Sequence, residues 1–160
     1  MRILIAEDDS VTRRMLEATL SKMGWDVIPA PDGETAWRIL ETLKGKNAPE
    51  LAVLDWMMPG IDGLEICRKL RATAGFEHMY VILLTSRGEK EDLAAALAAG
   101  ANDYIAKPFH PVELEARVRL GERVVRLQTA LAARVCPTCQ ERVLEEIESA
   151  LPLTVLPPAA

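Results

Sequence analysis

Four places in this chain hold side chains that could do chemistry together: Glu7-Asp8-Asp9, Asp55, Thr85-Ser86 and Lys107, with Asp55 at the end of the apolar run Leu51-Ala52-Val53-Leu54. Several carboxylates brought to one edge repel one another and cannot all stay ionised without a cation. Oxygen-only, water-accessible ligands suit Mg²⁺, which keeps several waters and takes one or two carboxylates plus phosphate oxygens. A lysine facing them acts as a point charge on phosphoryl oxygens, and a neighbouring hydroxyl adds one more bond. These are the parts of phosphoryl transfer to a carboxylate: nucleophile, metal, cation and hydroxyl clamp. Asp55 is the nucleophile of that set, as the single acid on the central strand. Taken alone, a strand-end Asp is more often a cap or turn residue than a reactive group. The fold must therefore gather the others around it.

The elements that would do so alternate strictly. Apolar runs at 2–6, 25–29, 51–54, 79–84 and 103–106 read as strands, and helical periodicity fills the stretches after each. Asp32-Gly33 opens the second helix, Gly100 closes the Ala-rich fourth (89–99), and Pro111 stands where a last helix would begin. Five strand–helix units with right-handed crossovers predict an α/β, flavodoxin-like doubly wound parallel sheet of strand order 2-1-3-4-5, with a C-terminal helical extension. Its functional crevice lies at the carboxyl ends of the strands. No Gly-rich phosphate loop is present, which weakens a nucleotide-binding reading.

Glu7-Asp8, Leu54-Asp55 followed by Met58-Pro59-Gly60 and Asp62-Gly63, Leu84-Thr85-Ser86, and Tyr104 with Lys107-Pro108 resemble the receiver domain of bacterial two-component response regulators over about residues 1–120. In that family an acceptor Asp takes a phosphoryl group from a phosphohistidine on a sensor kinase or phosphotransfer protein. The resemblance implies that Asp55 is the phosphoacceptor. It makes Asp8 the direct Mg²⁺ ligand, with Glu7 nearby and Met57 lending its backbone carbonyl. Thr85 becomes the switch hydroxyl, Lys107 and Ser86 phosphoryl contacts, and Tyr104 the aromatic that turns inward when Thr85 moves. Met57 and Arg87 occupy positions that tune acyl-phosphate hydrolysis, and the Lys107–Pro108 bond is expected to be cis. The implied function is a phosphorylation-controlled protein–protein switch, catalysing only its own phosphorylation and dephosphorylation.

Blander readings stand beside these. Asp9 begins a helix and reads as an N-cap rather than a third ligand, and Asp62 likewise. Trp56 is expected at the rim, partly shielding Asp55. His78 and His110 lie in connections without a paired ligand. A haloacid-dehalogenase-like phosphohydrolase also uses a strand-end Asp with Mg²⁺, but shows a second Asp two residues on, where this chain has Met57. A pseudo-receiver that only binds partners would not need the intact acid, hydroxyl and lysine set. The receiver portion of a longer regulator is a third alternative.

Residues 121–160 read as an extension: an extended helix, a Cys-x-x-Cys turn, a short helix and a Pro-rich tail. Leu120, Val124, Leu127, Leu131 and Val135 recur at four- and three-residue steps, a seam of about two heptads. Either the last helix packs on its own tail, or it forms a homodimer through this seam. Cys136 and Cys139 are half a zinc site or a redox pair, or simply two cysteines in a turn. The 160 residues are 49% hydrophobic and 27% charged, enough for a core, and the formal charge of −5 opposes broad phosphate-backbone binding. No basic recognition helix appears, so direct DNA binding is not expected. Met1 to Ala6 is too short and too quickly acidic for a signal peptide, and no run approaches the ~20 apolar residues that span a bilayer. The three cysteines do not form a secreted disulfide framework. A cytoplasmic location is the expectation, and the downstream protein partner is left unnamed.

Overall fold

The computed structural model describes residues 1–43, 47–76, 78–86 and 90–134. Strands β1 (Arg2–Ala6), β2 (Asp26–Ala30), β3 (Leu51–Asp55), β4 (Tyr80–Thr85) and β5 (Asp103–Ala106) alternate with helices α1 (Ser10–Lys22), α2 (Gly33–Thr42), α3 (Gly63–Ala72), α4 (Lys90–Ala98) and α5 (Pro111–Arg134). The five strands are parallel in the order β2-β1-β3-β4-β5, as expected from the alternation. The chain divides into two compact units, Met1–Arg126 and Leu127–Ala160.

The sheet sorts its residues by parity, because successive strand side chains point to opposite faces. Leu4, Ala6, Ala52, Leu54, Val81 and Leu83 pack with Ala36, Leu40, Ile66, Cys67, Leu70 and Ala96 from α2, α3 and α4. Ile3, Ile5, Leu51, Val53, Ile82 and Leu84 pack with Leu16 and Leu20 of α1 and Leu114, Val118 and Val125 of α5. The inner strands β3 and β4 are buried along their whole length, which is why they read as unbroken apolar runs. The outer strands β2 and β5 are partly exposed. Pro29 sits on β2, an edge where a missing N–H costs little.

Three of the helix starts are fixed by an Asp. Asp9, Asp32 and Asp62 accept hydrogen bonds from the backbone N–H groups of Thr12, Thr35 and Glu65 at 2.7, 2.6 and 2.7 Å. These N-caps satisfy donors the helix cannot. Asp9 is therefore a cap, as its position suggested. At two of these starts the next residue is glycine because there is no room for more. A Cβ at Gly33 would run into the carbonyl oxygen of Ile61, and one at Gly63 into the carbonyl oxygen of Asp55. The loop after β3 is thus clamped between the first turns of α2 and α3, which holds the carboxyl end of β3 in place.

Helix α5 buries a different stripe from the heptad-like seam. Leu114, Val118, Gly121 and Val125 face the sheet, and a Cβ at Gly121 would lie 2.6 Å from Tyr80 Cδ1. Leu120, Leu127 and Leu131 are 49%, 57% and 64% exposed, while Val124 leans against the core. Val135 lies outside the described residues.

Candidate functional site

The sheet's carboxyl edge is where the strands hand over to loops, and single backbone bonds carry the pairing one residue further. Glu7 N donates to Ala30 O at 3.2 Å, Trp56 N to Leu84 O at 2.8 Å, and Lys107 N to Thr85 O at 2.7 Å. Glu7, the end of β3 and Lys107 are therefore placed by main-chain register rather than by free loops. Thr85, the last residue of β4, is paired with Ala106, and Asp55, the last of β3, with Leu84.

The side chains converge on this edge. Glu7, Asp8 and Asp55 each offer one carboxylate oxygen, and the three atoms lie within 4.8 Å of one another. Glu7 is fully buried and Asp55 nearly so, whereas Asp8 is open to solvent. Lys107 Nζ lies 2.7 Å from Glu7 Oε2 and 3.1 Å from Asp55 Oδ1. Glu7 Oε2 is buried, with the Lys107 ammonium as its ion-pair partner. Glu7 Oε1 accepts from Asp9 N at 3.3 Å.

The electrostatics follow from that burial. Loss of water pushes the Glu7 carboxyl above its usual range; Lys107 pulls it back, and neighbouring Asp55 adds to the rise. Burial alone would lower Lys107, but bonding to Glu7 and Asp55 outweighs it, and the ammonium is held above its ordinary value. Lys107 is thus a fixed cation among crowded acids.

This donor set fits a divalent cation. An octahedral Mg²⁺ holds neighbouring oxygens about 3 Å apart and opposite ones about 4.2 Å apart, so three oxygens within 4.8 Å of one another need only draw together around the ion. Three carboxylates facing a single ammonium leave an excess of acid for such an ion to neutralise.

The other residues singled out in the sequence fall into three groups. Thr85 is buried at the edge and Ser86 exposed beside it; Tyr104, on β5 beside Leu83, is half-buried against the core. The Met57 side chain is 55% exposed, and the Lys107–Pro108 bond is cis. Trp56 corrects an expectation: it is buried in the core shared by α2, α3 and α4, not spread over the rim. Its N–H and C=O are both tied, to Leu84 and Gly63, which turns the side chain inward. Arg87, Cys136 and Cys139 lie outside the described residues. One polar residue at the site was not singled out. Arg13 Nη1 donates to the carbonyl oxygens of Glu7 at 2.6 Å and Asp8 at 3.2 Å. Both partners are main-chain carbonyls, which no side-chain pattern in the sequence marks.

Residues 3–119 match the family model described as the response regulator receiver domain. The chain is 45% identical over 118 residues to the probable transcriptional regulator ycf27 of Galdieria sulphuraria, covering 74% of this chain and 44% of that one. It is 36% identical over 121 residues to the chemotaxis protein CheY1 of Helicobacter pylori, covering 75% of this chain and 95% of that protein. Among solved structures it resembles the receiver domain of a sensor histidine kinase from Pseudomonas aeruginosa, determined with a magnesium ion coordinated in its active site cleft. That likeness has a TM-score of 0.66 at 32% identity, over 78% of this chain and 96% of the other. The chain spans less than half the length of the ycf27 relative, but nearly the whole of CheY1. Among the described residues no helix is long and apolar enough to cross a membrane.

Proposed function

The chain belongs to the response regulator receiver domain family, and on that premise we propose that Asp55 is its phosphoacceptor, loaded by a sensor histidine kinase or phosphotransfer protein. The observation that carries this reading is the convergence of Glu7, Asp8 and Asp55 within 4.8 Å, with Lys107 3.1 Å from Asp55. An Asp55 carboxylate oxygen attacks the phosphorus, an O–P bond forms, the donor's P–N bond breaks, and the imidazole leaves with the electron pair. Lys107, already on Asp55, meets the charge that develops on the phosphoryl oxygens. Glu7, Asp8, Asp55 and the backbone carbonyl of Met57 would hold Mg²⁺, which supplies charge neutralisation at those oxygens. Ser86 and the Thr85 hydroxyl complete the phosphoryl contacts. Movement of Thr85 lets half-buried Tyr104 turn inward, altering the surface offered to a downstream protein. The receiver acts on no separate substrate; it catalyses only its own phosphorylation and dephosphorylation, with Met57 and Arg87 tuning the latter.

Intact mass after incubation with Mg²⁺ and phosphoramidate or acetyl phosphate tests this. One phosphoryl adduct is expected on the wild type, absent without Mg²⁺ and absent from Asp55→Asn. Folded wild type that takes no adduct from either donor would point instead to a phosphorylation-independent interaction module.

A second reading concerns assembly. Leu120, Leu127 and Leu131 share heptad spacing along α5 and are all exposed, and an exposed leucine seam is most economically covered by a second copy. A seam this short supports only a weak homodimer. Sedimentation equilibrium should show self-association at micromolar concentrations that Leu127→Glu with Leu131→Glu abolishes; a monomer throughout would end this reading. Likeness to CheY1 suits a stand-alone switch, and likeness to ycf27 the receiver portion of a longer regulator; no DNA contact is assigned to residues 1–120.

A further inference from the structure

Glu7 and Asp8 are consecutive, yet one is fully buried and the other open to solvent, while a carboxylate oxygen of each reaches the same small space. Neighbouring side chains converge in this way only if the backbone between them is held in one particular twist. The pairing of β1 with β3 ends at Ala6, so the carbonyls of Glu7 and Asp8 lie past the ladder. A single group takes both: Arg13 Nη1 donates to Glu7 O at 2.6 Å and to Asp8 O at 3.2 Å. On the other side of the turn, the Asp9 side chain is locked by the N–H and hydroxyl of Thr12, both at 2.7 Å.

The placement of Arg13 is otherwise unfavourable. It sits in the first turn of α1, where the helix dipole is positive and acids are preferred, and the capping acid there, Asp9, is engaged by Thr12. A charged donor bridging two adjacent carbonyls fixes both peptide planes, and with them the directions in which the Glu7 and Asp8 side chains leave the chain. We propose that Arg13 is a positioning residue of the acidic site, clamping the turn after β1 so that Glu7 and Asp8 face one divalent cation and so setting Mg²⁺ affinity. The proposal rests on the metal-site reading above and adds to it a residue that touches neither metal nor phosphoryl group.

The test is Mg²⁺ titration followed by fluorescence of Trp56, which adjoins Asp55, in a Trp25→Phe, Trp37→Phe background; the Mg²⁺-dependent rise in Tm is the second readout. Arg13→Ala should raise the Mg²⁺ Kd about tenfold, as outer-shell changes typically do, with its Tm in EDTA close to the parent's. Arg13→Lys can still donate to two carbonyls and should return the Kd to within about threefold of the parent's. An unchanged Kd in Arg13→Ala overturns the proposal. A lower Kd overturns it too, since Arg13 would then act only as a repelling charge. Should Arg13→Ala fail to fold, Arg13→Gln decides by the same criteria. A parent with no more Mg²⁺ response than Asp8→Asn would remove the metal-site reading itself; a responsive parent with an indifferent Arg13→Ala removes only the clamp.

Discussion

Lys107→Ala is expected to move phosphorylation and Mg²⁺ binding in opposite directions. The ammonium rests on Glu7 Oε2 and Asp55 Oδ1, oxygens belonging to two of the three clustered carboxylates. A divalent cation in that cluster competes with the ammonium for these carboxylates, so removing Lys107 should tighten Mg²⁺ severalfold. The same change deletes the fixed positive charge beside the acceptor. Losing one preorganised partner of a developing oxyanion costs about 100- to 1000-fold in rate, and phosphorylation from phosphoramidate should fall by that order. Stability should fall as well. Breaking a buried ion pair costs about 3–5 kcal/mol; with the Lys107 side chain 20% exposed and Asp8 open to water, about 2–3 kcal/mol is the better expectation. Mg²⁺ at 100 times its Kd should add about 2.7 kcal/mol to the variant, and because it binds the variant severalfold more tightly the deficit against wild type should narrow by about 1 kcal/mol. Urea melts with and without Mg²⁺, together with the adduct rate, check all three. Weaker Mg²⁺ binding in Lys107→Ala would show that the lysine organises the acids rather than competing for them.

The acids, the hydroxyl and the lysine were legible in the sequence for a physical reason. A parallel strand covered on both faces must be apolar throughout, so the first polar residue after such a run marks the sheet's functional edge. Asp55 and Thr85 were found that way; Lys107 follows the partly exposed β5 and was found from its place at the same row of strand ends. Asp9, Asp32 and Asp62 were equally readable, because a cap needs a short side chain with an oxygen at one position and nothing else. Arg13 was not readable. Its partners are main-chain carbonyls, which every residue has, so no side-chain pattern announces the contact. Trp56 was misplaced for a related reason: after a strand end, alternation no longer says which way a side chain turns. Backbone bonds to Leu84 and from Gly63 decide it. On α5 two apolar stripes overlap at Val124 and Val125, and only the packing of Gly121 on Tyr80 and Leu51 selects the inner one.

Gly63→Ala should be among the most damaging single-methyl changes in the protein. Gly63 does not adopt a left-handed conformation; what it lacks is space. A Cβ there would overlap the carbonyl oxygen of Asp55, lie 3.0 Å from its carbonyl carbon, and come 3.1 Å from Leu83 Cδ2. Two of those atoms are backbone and cannot rotate away, so either α3 or the end of β3 must shift. Overpacking of this kind costs about 1–3 kcal/mol, and the better helix propensity of alanine returns at most about 1 kcal/mol. A net loss of about 2 kcal/mol should appear in urea denaturation. The larger effect should be on chemistry, because the peptide that moves is the acceptor's own. Displacement of a reacting group by about 1 Å can cost 100-fold, so Gly63→Ala should be slowed far beyond its loss of stability. Gly24→Ala is the control: a Cβ there meets nothing within 4 Å but must adopt a φ of +87°. It should lose stability through strain alone and phosphorylate normally. Equal adduct rates in Gly63→Ala and wild type would mean that Asp55 is not held through this contact, and that the turn at residues 59–62 positions it instead.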